Sequence, residues 1–229
     1  LYIDACVNRD VSRTERLAQA LLKEMNRNGE YEVETLCLED EDLKLFTGKE
    51  SAGREQLTRA GIYDGPMFDY AKQFASADRI LVAAPYWDFT FPARMKCYLE
   101  QICVTGLTFT FSSKGIPGGL CHADSLHYVT TSGGSIGALN LGYEYVEKLC
   151  KVYYGINKTV CYTAEGLDIE GNSVEEIMKV HLLFYNKIYR DRLKRREEKA
   201  SDPQHYRCPE ESYRPRAGGH EGVSSQPWI

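Results

Sequence analysis

The chain opens on the apolar run Tyr2–Ala5, turns polar, and then places Leu17, Leu21, Leu22 and Met25 on one face of a helical period. Ser12 and Glu15 have the spacing of a capping box, which predicts strand, loop and then a helix starting at Ser12. Gly29 is expected to stop that helix at a C′ position, and Tyr31–Leu38, alternating around Val33, Thr35 and Cys37, predicts a second strand. Asp40–Tyr63 is polar and irregular, a loop with one short helix, before Pro66 opens a helical stretch through Phe68, Ala71, Phe74 and Ala75. Arg79–Ala84 is a continuous aliphatic run, the pattern of a strand buried on both faces of a parallel sheet. Pro92 is suited to a helix N1 position, and Met95, Leu99, Ile102 and Cys103 follow at helical spacing. Leu126–Thr131 is the next strand, followed by a glycine-rich loop and a helix through Tyr143, Val146, Leu149 and Cys150. Thr159–Thr163 makes a fifth strand and Val174–Arg196 a long last helix.

Strands that alternate with helices at this spacing predict a doubly wound α/β domain, a parallel sheet with helices on both faces. The domain is expected to span residues 1–199. From residue 200 the chain holds four of its eight prolines (Pro203, Pro209, Pro215, Pro227) and almost no aliphatic residues, which predicts a flexible tail without a core. No internal repeat is visible. The basic stretch Arg190–Lys199 reads as a solvated helix end.

Composition narrows the function classes. Residues 186–229 carry 10 Lys and Arg against 7 Asp and Glu, so residues 1–185 hold −8 of the net −5, and an acidic body points away from nucleic acid. The longest apolar runs fall far short of the roughly 18 residues that cross a bilayer. The opening LYIDAC has no secretion signal and no initiator Met, so the native start is expected slightly upstream. Eight dispersed cysteines with no C-x-x-C pair read as reduced thiols of a cytoplasmic protein; Cys97, Cys150 and Cys161 read as small core hydrophobes.

Ligands of open α/β sheets bind at the carboxyl ends of the strands, which singles out three loops. The first, Cys6–Thr14, ends on a capped helix start, and Ser12, Arg13 and Thr14 add hydroxyls and a cation to the unpaired N–H groups there, a set suited to a phosphate. It is neither a Walker A loop nor a G-x-G-x-x-G turn. The second, Pro85–Pro92, packs four aromatics into eight residues, either a hydrophobic plug or a stacking wall for a flat ring. The third, Thr130–Gly137, has paired glycines that let backbone N–H groups approach a ligand. Together the three suit a flavin mononucleotide.

The stretch Ala77–Leu120, with Val129–Gly134 and Ala164–Gly166 behind it, resembles the flavodoxin-like NAD(P)H:quinone reductases and FMN-dependent NADH-azoreductases, over roughly residues 1–185. The resemblance implies a flavodoxin-like three-layer fold with five parallel strands in order 2-1-3-4-5. It places the phosphate loop on Cys6, Ser12, Arg13 and Thr14, and the ring-binding segment on Pro85, Tyr86, Trp87, Asp88 and Phe89. The second ring-edge loop falls on Thr131, Ser132, Gly133 and Gly134. Cys6 stands where azoreductases commonly have Ser, and Asp88 where they commonly have Asn, a carboxylate that would disfavour an anionic reduced ring. The implied activity takes hydride from NADH or NADPH to the flavin N5 and then to a quinone, azo or related aromatic acceptor in a ping-pong cycle, with no obligatory side-chain acid or base. It also implies a homodimer, no metal, and a substrate pocket walled in part by Phe109 and Phe111, which read equally well as core residues.

Two other readings stay open at this point. A flavodoxin-type electron carrier or redox-sensing module would bind FMN without turnover. A serine hydrolase would use Ser135 of Gly133-Gly-Ser-Ile-Gly137, a G-x-S-x-G match followed in order by Asp168 and His181.

Overall fold

The structure, a computed structural model, describes residues 1–184 and 187. Five parallel strands form one sheet: β1 (Tyr2–Asp4), β2 (Thr35–Cys37), β3 (Arg79–Ala83), β6 (Ser125–Thr131) and β7 (Thr159–Ala164). A hairpin of β4 (Phe109–Phe111) and β5 (Pro117–Gly119) stands apart from it. The sheet order is β2-β1-β3-β6-β7, the order 2-1-3-4-5 that the family resemblance implies, with the hairpin strands left out of the count. Register is fixed by Tyr2 opposite Thr35 on one side of β1 and opposite Leu81 on the other. The central strands are buried along their length, as the aliphatic run of β3 requires.

Successive side chains of a strand point to opposite faces, so each strand feeds two cores. On one face Ile3, Leu36, Ile80, Val82, Leu126 and Tyr128 pack with Phe74 of α3 (Asp69–Ser76), with Met95, Tyr98, Leu99 and Ile102 of α4 (Ala93–Ile102), and with Val146 of α5 (Leu141–Leu149). The opposite face is covered by α1 (Arg13–Met25), which buries Leu17, Ala18 and Leu21; the helix over residues 174–184 is tied to α1 by the Arg16–Glu175 pair at 3.2 Å and buries Met178. Each fully buried leucine stabilises this packing by about 1.5–3 kcal/mol. The remaining helix, α2 (Gly48–Arg59), lies in the polar stretch after β2 and buries no residue; a full capping box between Thr47 and Glu50 starts it.

Several boundaries differ from the sequence reading. β2 begins at Thr35 rather than Tyr31, because the Asn26 side chain at the end of α1 bonds both the N–H and the carbonyl of Tyr31 at 2.9 Å and holds that residue off the sheet. Gly29 does not cap α1: the helix ends at Met25, and the Gly29 N–H closes the following turn on the Asn26 carbonyl. Pro92 is the N-cap of α4, not its N1 residue. The β4–β5 hairpin and a π-helical turn over Cys150–Tyr154 were not foreseen; Phe-Thr-Phe is too short to show a period, and Pro-Gly-Gly is a poor strand sequence. Apart from Lys187, the part of the last helix beyond residue 184, the basic stretch and the tail lie outside the described residues.

The hairpin is held by a close backbone approach. A Cβ on Gly119 would fall 2.1 Å from the Gly155 nitrogen and 2.3 Å from the Tyr154 carbonyl carbon, so the contact admits only glycine. A Cβ on neighbouring Gly118 would meet nothing nearer than Thr110 at 4.0 Å. Gly119→Ala is therefore expected to lower stability by about 1–3 kcal/mol in urea denaturation, the cost of overpacking against backbone. Gly118→Ala should stay within about 0.5 kcal/mol of the parent; equal losses from both variants would contradict the packing described.

Candidate functional site

The chain leaves β1 for β2 on one side and returns to β3 on the other, so the loops after β1 and β3 separate and open a crevice at their carboxyl ends. Hydrogen bonds extend the sheet right up to that crevice: Ala5 N–H to the Ala83 carbonyl, Ala84 N–H to Val129, Tyr86 N–H to Thr131, and Ser132 N–H to Ala164. The loops therefore start from rigid ends. A cleft of about 260 Å³ lies there, lined by Ser12, Arg13 and Thr14, by Pro85, Tyr86 and Trp87, and by Thr131, Ser132 and Gly133. Val7, Asn8, Val11 and Asp168 complete the lining.

Nine of the residues singled out in the sequence thus line one cavity. The first loop enters through a short 3-10 turn, Arg9–Val11, pinned outside by Arg9 to Asp40 at 2.9 Å. Ser12 accepts the Glu15 N–H at 3.1 Å and caps α1, leaving the first N–H groups of the helix facing the cleft, where a negative group is favoured. Thr14 and Thr131 exchange a buried hydroxyl bond at 2.7 Å, which ties the first turn of α1 to the end of β6. Cys6 does not line the cleft. Its thiol is buried with Sγ 3.9 Å from the Ala83 carbonyl, its N–H goes to Asp4 at 2.9 Å, and burial pushes its pKa up, so it serves as packing under the loop.

The ring segment turns back on itself. Trp87 and Thr90 bond each other's backbones at 3.3 and 2.7 Å around Asp88 and Phe89, which both have positive φ (46° and 69°), a turn of type I′ geometry. An aromatic residue there is a backbone outlier that costs about 1–2 kcal/mol. The turn is held from outside: the Gly142 N–H of α5 donates to the Phe89 carbonyl, Tyr86 Oη donates to the Leu139 carbonyl at 3.1 Å, and the Tyr86 and Phe89 rings meet edge to face. Trp87 and Phe89 remain about half exposed. Asp88, Phe89 and Gly134 adjoin the lining residues in sequence without being among them.

A fourth loop, after β7, was missed. Gly166, Leu167 and Asp168 donate their N–H groups to the carbonyls of Gly134, Ser132 and Gly133, laying this segment along the glycine loop. Glu165 accepts from Ser135 Oγ at 3.1 Å and from the Ile136 N–H at 2.9 Å, holding the loop's far side. Asp168 reaches across to Arg13, whose Nη1 donates to Oδ1 at 2.8 Å and to the Leu167 carbonyl at 3.1 Å. That bond holds the Asp168 carboxyl below the usual carboxylate range, so the pair persists at neutral pH and is lost only in strong acid. A Cβ on Gly133 would fall 2.2 Å from Asp168 Oδ2, so a side chain there would displace the Asp168 carboxyl. The sequence signal was Ala164-Glu-Gly166 at the end of a strand, read only as part of a resemblance.

The remaining candidates sit elsewhere. Phe109 and Phe111 belong to the hairpin, where Phe109 is buried 4.7 Å from the Tyr153 ring and Phe111 is half exposed; neither lines the cleft. The hydrolase arrangement is not built: β6 ends at Thr131 and α5 begins at Leu141, so no helix follows Ser135 as a nucleophile elbow requires, and its hydroxyl is bound to Glu165. Among the described residues no group of His, Cys, Asp and Glu is placed to hold a metal, and no helix is long and apolar enough to cross a membrane.

A family model described as flavodoxin-like fold matches residues 1–187. The chain is 35% identical over 187 residues to FMN-dependent NADH:quinone oxidoreductase 2 of Clostridium acetobutylicum, covering 78% of this chain and 92% of that one. Among solved structures it resembles the azoreductase of Bacillus anthracis str. Sterne (TM-score 0.71, 21% identity, 82% of this chain and 96% of that one). It also resembles an FMN-dependent NADH-azoreductase of Bacillus anthracis str. Ames Ancestor in complex with FMN (TM-score 0.68, 16% identity, 82% and 95%). At those identities the structures speak to the fold, while the family model and the clostridial relative, each matched across most of the chain, speak to descent. The chain belongs to the flavodoxin-like family, among relatives of the FMN-dependent NADH:quinone oxidoreductase kind.

Proposed function

We propose that this protein is an FMN-dependent oxidoreductase that takes electrons from NADH and passes them to a quinone, an azo compound or a related aromatic acceptor. The observation that carries this reading is the meeting of a phosphate-suited helix start, an aromatic turn and a glycine loop in one cleft at the strand ends. The name of the clostridial relative, an FMN-dependent NADH:quinone oxidoreductase, supports donor, cofactor and acceptor class.

The residues present fit FMN on their own chemistry. Ser12, Arg13, Thr14 and the N–H groups opening α1 would hold the phosphate. Pro85, Tyr86, Trp87, Asp88 and Phe89 would wall the ring, and Thr131, Ser132, Gly133 and Gly134 would present backbone N–H groups to its edge, with no Cβ at Gly133 in the way. Bound FMN would supply the hydride chemistry. The protein's part is to orient and to exclude: the type I′ turn fixes the direction of the Trp87 and Phe89 rings, and Cys6 supports the phosphate loop from below.

We further propose a homodimer in which a partner completes the acceptor pocket, the place where Phe109 and Phe111 would contribute. Trp87, Phe89, Leu139, Leu141 and Tyr145 are exposed apolar residues grouped around the aromatic turn by the Tyr86–Leu139, Phe89–Gly142 and Phe91–Tyr145 contacts. Such a cluster favours burial against another surface. The seven described cysteines are all free, in keeping with a reducing compartment such as the cytoplasm.

Three outcomes are expected. Purified protein loaded with FMN should lose its visible flavin bands on anaerobic addition of NADH and regain them with a quinone; retained flavin that NADH leaves unbleached would instead identify an electron carrier. Asp88→Asn, which removes a carboxylate beside the ring, should raise the flavin midpoint potential by about 10–30 mV in a dye-coupled titration, where 30 mV corresponds to ≈1.4 kcal/mol for two electrons. No change, or a fall, would place Asp88 away from the ring. Sedimentation equilibrium should return twice the 26.0 kDa chain mass, and Tyr145→Asp should shift it toward one chain.

A further inference from the structure

Among the described residues Arg13 is the one cation lining the cleft, and its guanidinium is tethered. A single nitrogen, Nη1, makes both of its bonds to the loop after β7, to the Leu167 carbonyl and to Asp168 Oδ1. The fork is planar with five N–H donors, so fixing Nη1 fixes the direction of the Nη2 and Nε donors as well. Asp168 is itself placed by its backbone, whose N–H bonds the Gly133 carbonyl at 2.9 Å, and its carboxyl lies over Gly133, where the missing Cβ leaves it room. The residue thus joins the two loops, its backbone on the glycine loop and its carboxylate on Arg13 of the phosphate loop.

Stability does not account for the pair. The Arg13 and Asp168 side chains keep 32% and 65% of their surface exposed, and exposed ion pairs contribute little to folding. Its effect is geometric, on the direction of the cation at the helix start. We infer that Asp168 is a positioning residue for the ligand's phosphate: it orients the Arg13 fork so that the free donors meet a phosphate monoester, and through it the cleft distinguishes phosphorylated from unphosphorylated flavin. This rests on the FMN reading and adds to it a residue and a specificity.

A carboxylate so near an anion site has a second possible consequence, repulsion of the phosphate, and the two have opposite signs in one experiment. Flavin-free protein, Asp168→Ala and Asp168→Asn are each titrated with FMN and with riboflavin, followed by quenching of flavin fluorescence. Asp168→Ala should weaken FMN binding by roughly tenfold, the loss of one well-oriented charge-assisted contact, and leave riboflavin binding within about twofold. Asp168→Asn, whose amide oxygen still accepts from Nη1, should stay within about threefold of the parent for FMN. Equal weakening of both flavins would overturn the assignment, showing that Asp168 only shapes the loop. Tighter FMN binding in both variants would overturn it the other way, showing a competing anion. A parent protein that binds neither flavin would overturn the FMN reading itself.

Discussion

Parallel pairing of β1 with β2 on one side and β3 on the other is the constraint from which the rest follows. β1 is three residues long and buried throughout, and it is reached by no hairpin; each neighbour has to be brought in by a crossover, and the two crossovers leave in opposite directions. Loops at the carboxyl ends of β1 and β3 are thereby forced apart. The crevice between them is a product of chain topology before any side chain lines it, and the residues of the candidate site lie at or shortly after the carboxyl ends of β1, β3, β6 and β7.

What topology opens, local hydrogen bonds then shape. The loop after β1 is tied to β6 through the buried Thr14–Thr131 hydroxyls and to the loop after β7 through Arg13. The glycine loop is bonded along its length by residues 165–168. The aromatic turn is fastened to the start of α5. Each tie joins segments far apart in sequence, so the site is held by tertiary contacts and not by the conformational preference of any one loop. Asp88 and Phe89 illustrate the balance: their left-handed backbone is unfavourable taken alone, and the bonds from Trp87, Thr90 and Gly142 outweigh it.

This division explains how much could be read from the residues alone. The aliphatic run Arg79–Ala84, the capped start at Ser12 and the alternation of strands with helices are local signals, and they pointed to a doubly wound domain and to the three loops, while the family resemblance supplied the strand order and the individual ring-site residues. The β4–β5 hairpin was invisible because it is held by the Gly119–Gly155 approach, a contact with no period in sequence. Asp168, read only as a partner in the hydrolase alternative, and Glu165 were missed as residues of the flavin site for a related reason: a carboxylate two or five residues past a predicted strand has no pattern of its own, and its meaning comes from Arg13 for Asp168 and from Ser135 for Glu165, 155 and 30 positions away. Phe109 and Phe111 were read from an aromatic pair whose partner, Tyr153, belongs to an unforeseen π-helical turn.

The ionisable groups of the cleft bear on where the chemistry resides. Its titratable lining residues are Arg13, Tyr86 and Asp168. Asp168 is pulled further below the neutral range by Arg13, so it is not poised to exchange protons near pH 7. Cys6, in the loop after β1, is pushed the opposite way by burial, and a thiol kept protonated is a poor nucleophile. The cleft is accordingly furnished to bind an anion, to wall a flat ring and to present backbone donors. A protein built this way contributes orientation and electrostatics, and leaves bond making to the molecule it holds.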